Sequence, residues 1–420
     1  MLADARVPHA SGRSKESSMR SVMLYSVLLI AGMGLSQLAM IQDYNGAITA
    51  LTMIFLAYIM IQVGMEFDID KSRLGSYGVD YLIAMAAAAV PWVCAAVYFW
   101  WWFGLGFKES LLVGRFASPT SAGILFTMLA AAGLAASWLY KKARVLAIFD
   151  DLDTVLLMIP LKMMLVGFQP KLVILVLAVV AFLAAAYFWI HWLNVPTGNG
   201  WIALYALLVW LITFAFDYVT DLHLEVLIPA FALGCVTKSN RVHGSADFVT
   251  TPHPLKKEHD WEAVLDSAVK GGFMLLAGMA MPRIALGGMN MGLVALHVLF
   301  ITIVSNIGKC VPLFAYSAEA TVRQRLALSI GMFPRGEVGI GVLLVSLEIF
   351  RQQNSLPNPA VQQSITVGAL SLALNLALTG LFIVAAIRLS RVGDSLREPK
   401  GETRTAAPEV RSDARISSMK

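Results

Sequence analysis

Twelve stretches of this chain are apolar for close to the length that an α-helix needs to cross a hydrocarbon layer, about 20 residues. They fall at 22–41, 47–65, 81–103, 110–132, 145–165, 172–193, 200–218, 222–237, 264–282, 291–315, 325–349 and 362–388. Composition agrees, with 58% hydrophobic and 14% charged residues, where a soluble domain carries about 25% charged. The expectation is an all-α polytopic membrane protein of about 12 transmembrane helices. The shortest segment, 222–237, and its separation from 200–218 are the least defined boundaries.

Charge placement orients the bundle. With the amino terminus inside, the inner segments hold 23 Lys and Arg, eight of them in the tail from Arg388 to Lys420, and the outer segments hold five: Lys108, Lys162, Lys171, Arg283 and Arg351. That asymmetry follows the positive-inside rule and places both termini in the cytoplasm. It also accounts for the net charge of +5 without a nucleic-acid partner. Cys94, Cys235 and Cys310 lie within spans without metal-ligand spacing and read as packed thiols. Tyr98–Phe103, with three consecutive Trp, reads as an interfacial aromatic belt. The longest polar insert, Lys238–Asp260, carries His243, His253 and His259 and reads as a solvated loop.

Against that background the charges inside spans stand out. Helix five contains Asp150, Asp151 and Asp153. One ionised Asp at the centre of a spanning helix costs about 2.5–3.5 kcal/mol even on the lenient insertion scale. Two side by side cost more, because each opposes the other's ionisation. Such a pair survives facing water, a cation or a basic partner, which points to an ion-carrying role. Asp150 and Asp151 are about 100° apart around the helix, and Asp153 lies one turn from Asp150. In helix four, Pro119 is flanked by Ser118, Thr120 and Ser121. A proline removes a backbone donor, and irregular backbone at membrane depth is tolerated where it lines a cavity. Helix ten has one deep charge, Lys309; Lys270 in helix nine is placed near the inner surface. Helix eleven is interrupted by Gly331-Met332-Phe333-Pro334-Arg335-Gly336-Glu337. Asp217, Asp221, His223 and Glu225 read as an outer turn.

Helices three to five and ten to twelve therefore look like counterparts, each trio with a proline-broken middle helix. This is the pattern of inverted repeats in which two discontinuous helices meet at the midplane. The domain expectation is a cytoplasmic tail at 1–21, scaffold or dimerisation helices at 22–66 and 194–282, core helices at 81–165 and 291–388, a linking helix at 172–193 and a cytoplasmic tail at 389–420. That last tail is too short for a nucleotide-binding domain and lacks a Gly-rich phosphate motif, so ATP drive and a resident cofactor are not expected.

Four motifs in order resemble the monovalent cation:proton antiporters of the bacterial sodium/proton exchanger kind: Ala117-Ser118-Pro119-Thr120-Ser121, Phe149-Asp150-Asp151, Gly308-Lys309 and Pro334-Arg335-Gly336-Glu337-Val338-Gly339. The resemblance implies that Asp151 is the principal carrier of monovalent cation and proton. It implies that Asp150 shares the site and pairs with Lys309 when no cation is bound, and that Thr120 and Ser121 line it. Arg335 and Glu337 would hold the second break, paired with each other or with neighbours. The two-Asp form resembles the electrogenic branch. A homodimer in a bacterial inner membrane, serving pH homeostasis, is implied in the same way. Asp153 and Arg115 depart from the pattern; Arg115 would pair with an acid of the cluster or sit at the outer interface.

Two alternative readings remain as expectations. One is a potassium/proton exchanger or a potassium-efflux, channel-like module, which would usually carry a cytoplasmic ligand-binding domain that the tail is too short to form. A membrane prenyltransferase would bind Mg²⁺-diphosphate through Asp-rich motifs, but Asp150-Asp151-Leu152-Asp153 has the wrong spacing for the usual pair.

Overall fold

The computed structural model describes residues 11–38, 40, 43–66, 74–135, 137–157, 160–161, 163–164, 196, 198–220, 226–239, 260–283, 290–353 and 355–395. Among them there is no strand. The helices are α1 (Ser11–Leu35), α2 (Asn45–Glu66), α3 (Leu74–Phe103), α4 (Phe107–Gly114), α5 (Ala122–Ala131), α6 (Trp138–Leu156), α7 (Asn199–Thr220), α8 (Leu227–Ser239), α9 (Asp260–Ala280), α10 (Met291–Gly308), α11 (Val311–Ala315), α12 (Val322–Gly331), α13 (Glu337–Gln352) and α14 (Pro359–Ser395). Among the described residues, six helical stretches are long and apolar enough to cross a membrane by themselves. The expected linking helix at 172–193, nearly all of the polar insert with its three histidines, and Asp221, His223 and Glu225 lie outside the described residues.

Several helices overrun the apolar windows. α1 starts at Ser11, inside the stretch expected as a tail, and α14 continues to Ser395, past the apolar limit at 388. Hydropathy marks where lipid ends. It does not mark where backbone hydrogen bonding ends, and a helix once nucleated extends at little cost.

The helices pack in two groups. In one, α1 lies along α9, and α2 is covered by α8, α9 and α7. In the other, α3 packs against α4, α6 and α10, while α14 lies along α10 and α12. α13 is buried along its whole length from Val338 to Leu347, in the centre of the molecule. α1, α9, α2 and α13 provide contacts between the groups. Outward-facing apolar side chains such as Leu207, Leu211, Ile212 and Phe214 on α7 fit a lipid surround.

Lipid tails are as apolar as Leu, so helix association in a membrane depends on close packing and polar contacts more than on hydrophobic burial. Two crossings in the first group show this. Gly64 of α2 meets Gly234 of α8 so closely that a Cβ on Gly64 would stand 3.0 Å from the Gly234 Cα and would overlap the Phe231 carbonyl. Gly32 of α1 and Gly278 of α9 repeat the arrangement. Gly64→Val is expected to force these backbones apart and cost about 1–3 kcal/mol. A thermal melt of the purified protein in detergent checks this, and wild-type behaviour would contradict it.

Candidate functional site at the crossing of two broken helices

The first break follows from Pro119. α4 tightens into a 3₁₀ turn over Arg115–Ala117, and the chain leaves regular helix until α5 begins at Ala122. The second runs from Met332, where α12 ends, to Gly336 before α13. α12 itself starts with a capping box, Thr321 with Gln324. Each break strands backbone groups that must find partners at membrane depth. They find them on one another: the Ser121 N–H donates to the Pro334 carbonyl at 2.7 Å, and the Thr120 hydroxyl donates to the Met332 carbonyl at 3.1 Å. The two interrupted helices therefore cross in contact.

Arg335 ties the crossing together. Its Nε donates to the Ala117 carbonyl and one Nη to the Ser305 carbonyl, both at 2.9 Å, and the other Nη donates to the Asn306 side-chain oxygen. Ala117 and Ser305 lie at or near helix C-terminal ends, which carry partial negative charge, so a cation is favoured there. The Arg335 backbone N–H donates to Asn375 Oδ1, and Asn375 Nδ2 donates to Asn306. Arg335 is therefore committed to carbonyls and amides. Among the described residues no ion pair joins it to Glu337, so that alternative is corrected. Glu337 opens the first turn of α13, and its Oε2 accepts from Ser121 Oγ at 3.3 Å.

Beside the crossing lies the acidic helix α6. Lys309 Nζ stands 2.8 Å from both oxygens of Asp150, and both side chains are 0% exposed. The two belong to α6 and to the end of α10, brought together across 159 residues of sequence. Replacing a buried ion pair by apolar side chains of similar volume often leaves a fold as stable or more so, so its presence argues for a role other than stability. Asp151 is buried next to it at 1% exposure. Ser118 and Thr154 share a hydroxyl–hydroxyl hydrogen bond of 3.1 Å, which links α6 to the first break. Arg115 is not at an outer interface; it is enclosed, and its Nη2 donates to the Thr154 carbonyl at 3.1 Å.

Asp153 lies one turn along α6 from Asp150. It is hydrogen-bonded by Tyr81 of α3 and lies within electrostatic reach of Asp150 and Lys309. Tyr81 also sets its ring edge-on against Phe149, 5.4 Å between centroids. At the end where α3 and α6 begin, Lys142 bridges Asp80 at 2.9 Å and Glu319 at 3.0 Å, and the Tyr316 hydroxyl donates to Asp80 at 2.7 Å. Burial beside that carboxylate pushes the Tyr316 phenol up.

Sequence reasoning did not single out Asn306, Asn375, Tyr81 or Asp80 as site residues. The available signal was a lone Asn inside an apolar helix, as at Asn375, which needs a partner at that depth. Lys270, ten residues into α9, pairs with Asp266 one turn earlier at 2.9 Å.

Two interrupted helices crossing beside a buried acid–lysine pair in an all-helical membrane bundle define a secondary transporter, not an enzyme. The family model for the sodium/hydrogen exchanger transmembrane region matches residues 21–386, so the chain belongs to the sodium/hydrogen exchanger family. The structure is similar to that of the sodium proton antiporter MjNhaP1 from Methanocaldococcus jannaschii at pH 8, with a TM-score of 0.63 and 12% identity, covering 88% of this chain and 98% of that one. A search of curated proteins returned no match.

Proposed function

We infer that the protein exchanges Na⁺, or Li⁺ or K⁺, for protons by alternating access, with Asp150 and Asp151 as the shared site. The observation that carries this reading is the Lys309–Asp150 pair set against the crossing, with Asp151 buried beside it. The transported cation is substrate, and no resident cofactor takes part.

The chemistry is competition for the same carboxylates. Asp151 is the principal carrier. A cation arriving there competes with the Lys309 ammonium for Asp150, and protons compete with the cation for both acids. The two carboxyls titrate as a coupled unit, so loaded-with-cation and loaded-with-proton are mutually exclusive states. Thr120 and Ser121 supply oxygens at the first break. Arg335 keeps the two breaks in register and so holds the site's geometry. Two acids and a lysine together provide more than one exchangeable proton per cation, which supports electrogenic exchange.

The helices at 22–66 and 194–282 serve as the scaffold and dimerisation surface. The trios at 81–165 and 291–388 form the part that rocks, exposing the loaded site to one face and then the other. Both termini are assigned to the cytoplasm and the membrane to a bacterial inner membrane, where such exchange serves pH homeostasis.

The test is a purified, reconstituted protein in liposomes with a pH-sensitive dye inside. Sodium addition is expected to move protons and, on a charge-detecting solid-supported membrane, to carry net current. Exchange without current would remove the electrogenic reading. Flux with K⁺ alone, at channel-like rates and without proton movement, would overturn the antiport reading.

A further inference from the structure

We propose that Lys270 is a positioning residue for the exchange: its ammonium changes partner between Asp266 on α9 and Glu337 on α13 as the two helix groups move against each other. The inference rests on the antiport reading above and adds to it a charge contact across the moving interface.

Three observations support it. First, Asp266 has more donors than it needs. Its Oδ2 accepts from Lys270 at 2.9 Å, while its Oδ1 accepts from Gln62 at 2.8 Å and from the Tyr58 hydroxyl at 3.4 Å, both on α2. Gln62 also donates to Tyr58 at 3.1 Å. If Lys270 leaves, Asp266 keeps two hydrogen bonds, so release does not strand a bare carboxylate.

Second, Glu337 lacks a strong partner in this conformation. It sits at membrane depth with a 3.3 Å hydrogen bond from Ser121 and the N-terminal end of α13 to support its charge. Lys270 is within electrostatic reach of it, and Tyr25 of α1 lies in the field of both. Among the described residues no direct ion pair joins Lys270 to Glu337. A lysine stem can make up such a gap by rotamer change.

Third, the Lys270–Asp266 pair is open where the Lys309–Asp150 pair is sealed. Its side chains are 27% and 26% exposed. α9 packs against α13, so the pair lies on a helix that touches the one carrying Glu337. α9 belongs to the group proposed as scaffold and α13 to the group proposed to rock. A swap at this point gives each of the two states its own ion pair, and neither state leaves both acids without the lysine's help. That is the differential interaction a two-state equilibrium needs.

The experiment compares wild type, Lys270→Met, Lys270→Arg, Glu337→Gln and the Lys270→Met/Glu337→Gln double variant in proteoliposomes. Lys270→Met is expected to lower turnover about tenfold with the half-saturating Na⁺ concentration within about twofold, and Lys270→Arg to retain most of the turnover. The double variant is expected to be no slower than the slower single variant, because Lys270→Met already removes the Lys270–Glu337 contact that Glu337→Gln removes. Multiplicative losses in the double variant, or a changed half-saturation at full turnover, would overturn the proposal. Hydrogen exchange of the first turn of α13 in nanodiscs gives a readout independent of transport: its protection should shift in Lys270→Met. An unchanged pattern overturns the swap whether or not exchange activity is seen, while inactive wild type with a shifted pattern would count against the antiport reading alone.

Discussion

Asp151→Asn is expected to abolish cation-coupled proton movement while the protein still folds and melts like wild type. Asn has nearly the same shape as Asp and cannot ionise in this pH range, so the substitution removes charge from a fully enclosed position without opening a cavity. Burying a neutral amide is cheaper than burying an ion. The site then has one carboxylate, Asp150, already engaged on both oxygens by Lys309 at 2.8 Å. A cation would have to evict the lysine without a second acid to hold it. Loss of at least about 100-fold in exchange, read from dye-loaded proteoliposomes, corresponds to about 2.7 kcal/mol of lost stabilisation. Sodium-dependent proton transport surviving in this variant would remove Asp151 from the carrier role. Asp150→Asn differs in kind: it leaves the Lys309 ammonium without its buried counter-charge, so a loss of stability accompanies any loss of transport.

Arg335→Met carries the largest expected effect on stability. One guanidinium serves the Ala117 and Ser305 carbonyls and the Asn306 side chain. Removing it strands the buried Ala117 and Ser305 carbonyls, leaves Asn306 Oδ1 to the Asn375 amide alone and leaves the C-terminal dipole ends of two helices uncompensated. Truncating one partner of a buried charged network costs about 3–5 kcal/mol. The melting temperature in detergent is expected to fall by about 5 °C or more. Arg335→Lys is expected to rescue little of this, since a point ammonium cannot reach three acceptors spread over two helix ends as a planar fork does. A melt indistinguishable from wild type would mean that the crossing is held by Ser121, Thr120 and their carbonyl partners alone.

Much of the site was legible because its signals are local. Pro119 and Pro334 interrupt apolar runs in any context, since a missing N–H is a property of the residue itself, and both breaks stand where the sequence puts them. Asp150, Asp151 and Lys309 were conspicuous for a similar reason: each is expensive in a span taken alone. What a residue costs can be read from its neighbours in sequence. Whom it pairs with cannot. Arg335 and Glu337 are two positions apart and opposite in charge, yet the first turns to α10 and the 3₁₀ turn and the second to Ser121.

The sequence alone determined that this chain is a helical bundle in lipid, that two of its helices are broken and that acids lie deep within one span. Apolar length, proline chemistry and the cost of buried charge act over a few residues, so they need no fold to be read. Only the tertiary structure decided that the two breaks touch, that Asn375 braces Arg335, and that Gln62 and Tyr58 of α2 reach Asp266 beside Lys270. Those pairings depend on how each helix is rotated and how deeply it sits, which close packing against other helices sets across long separations in the chain.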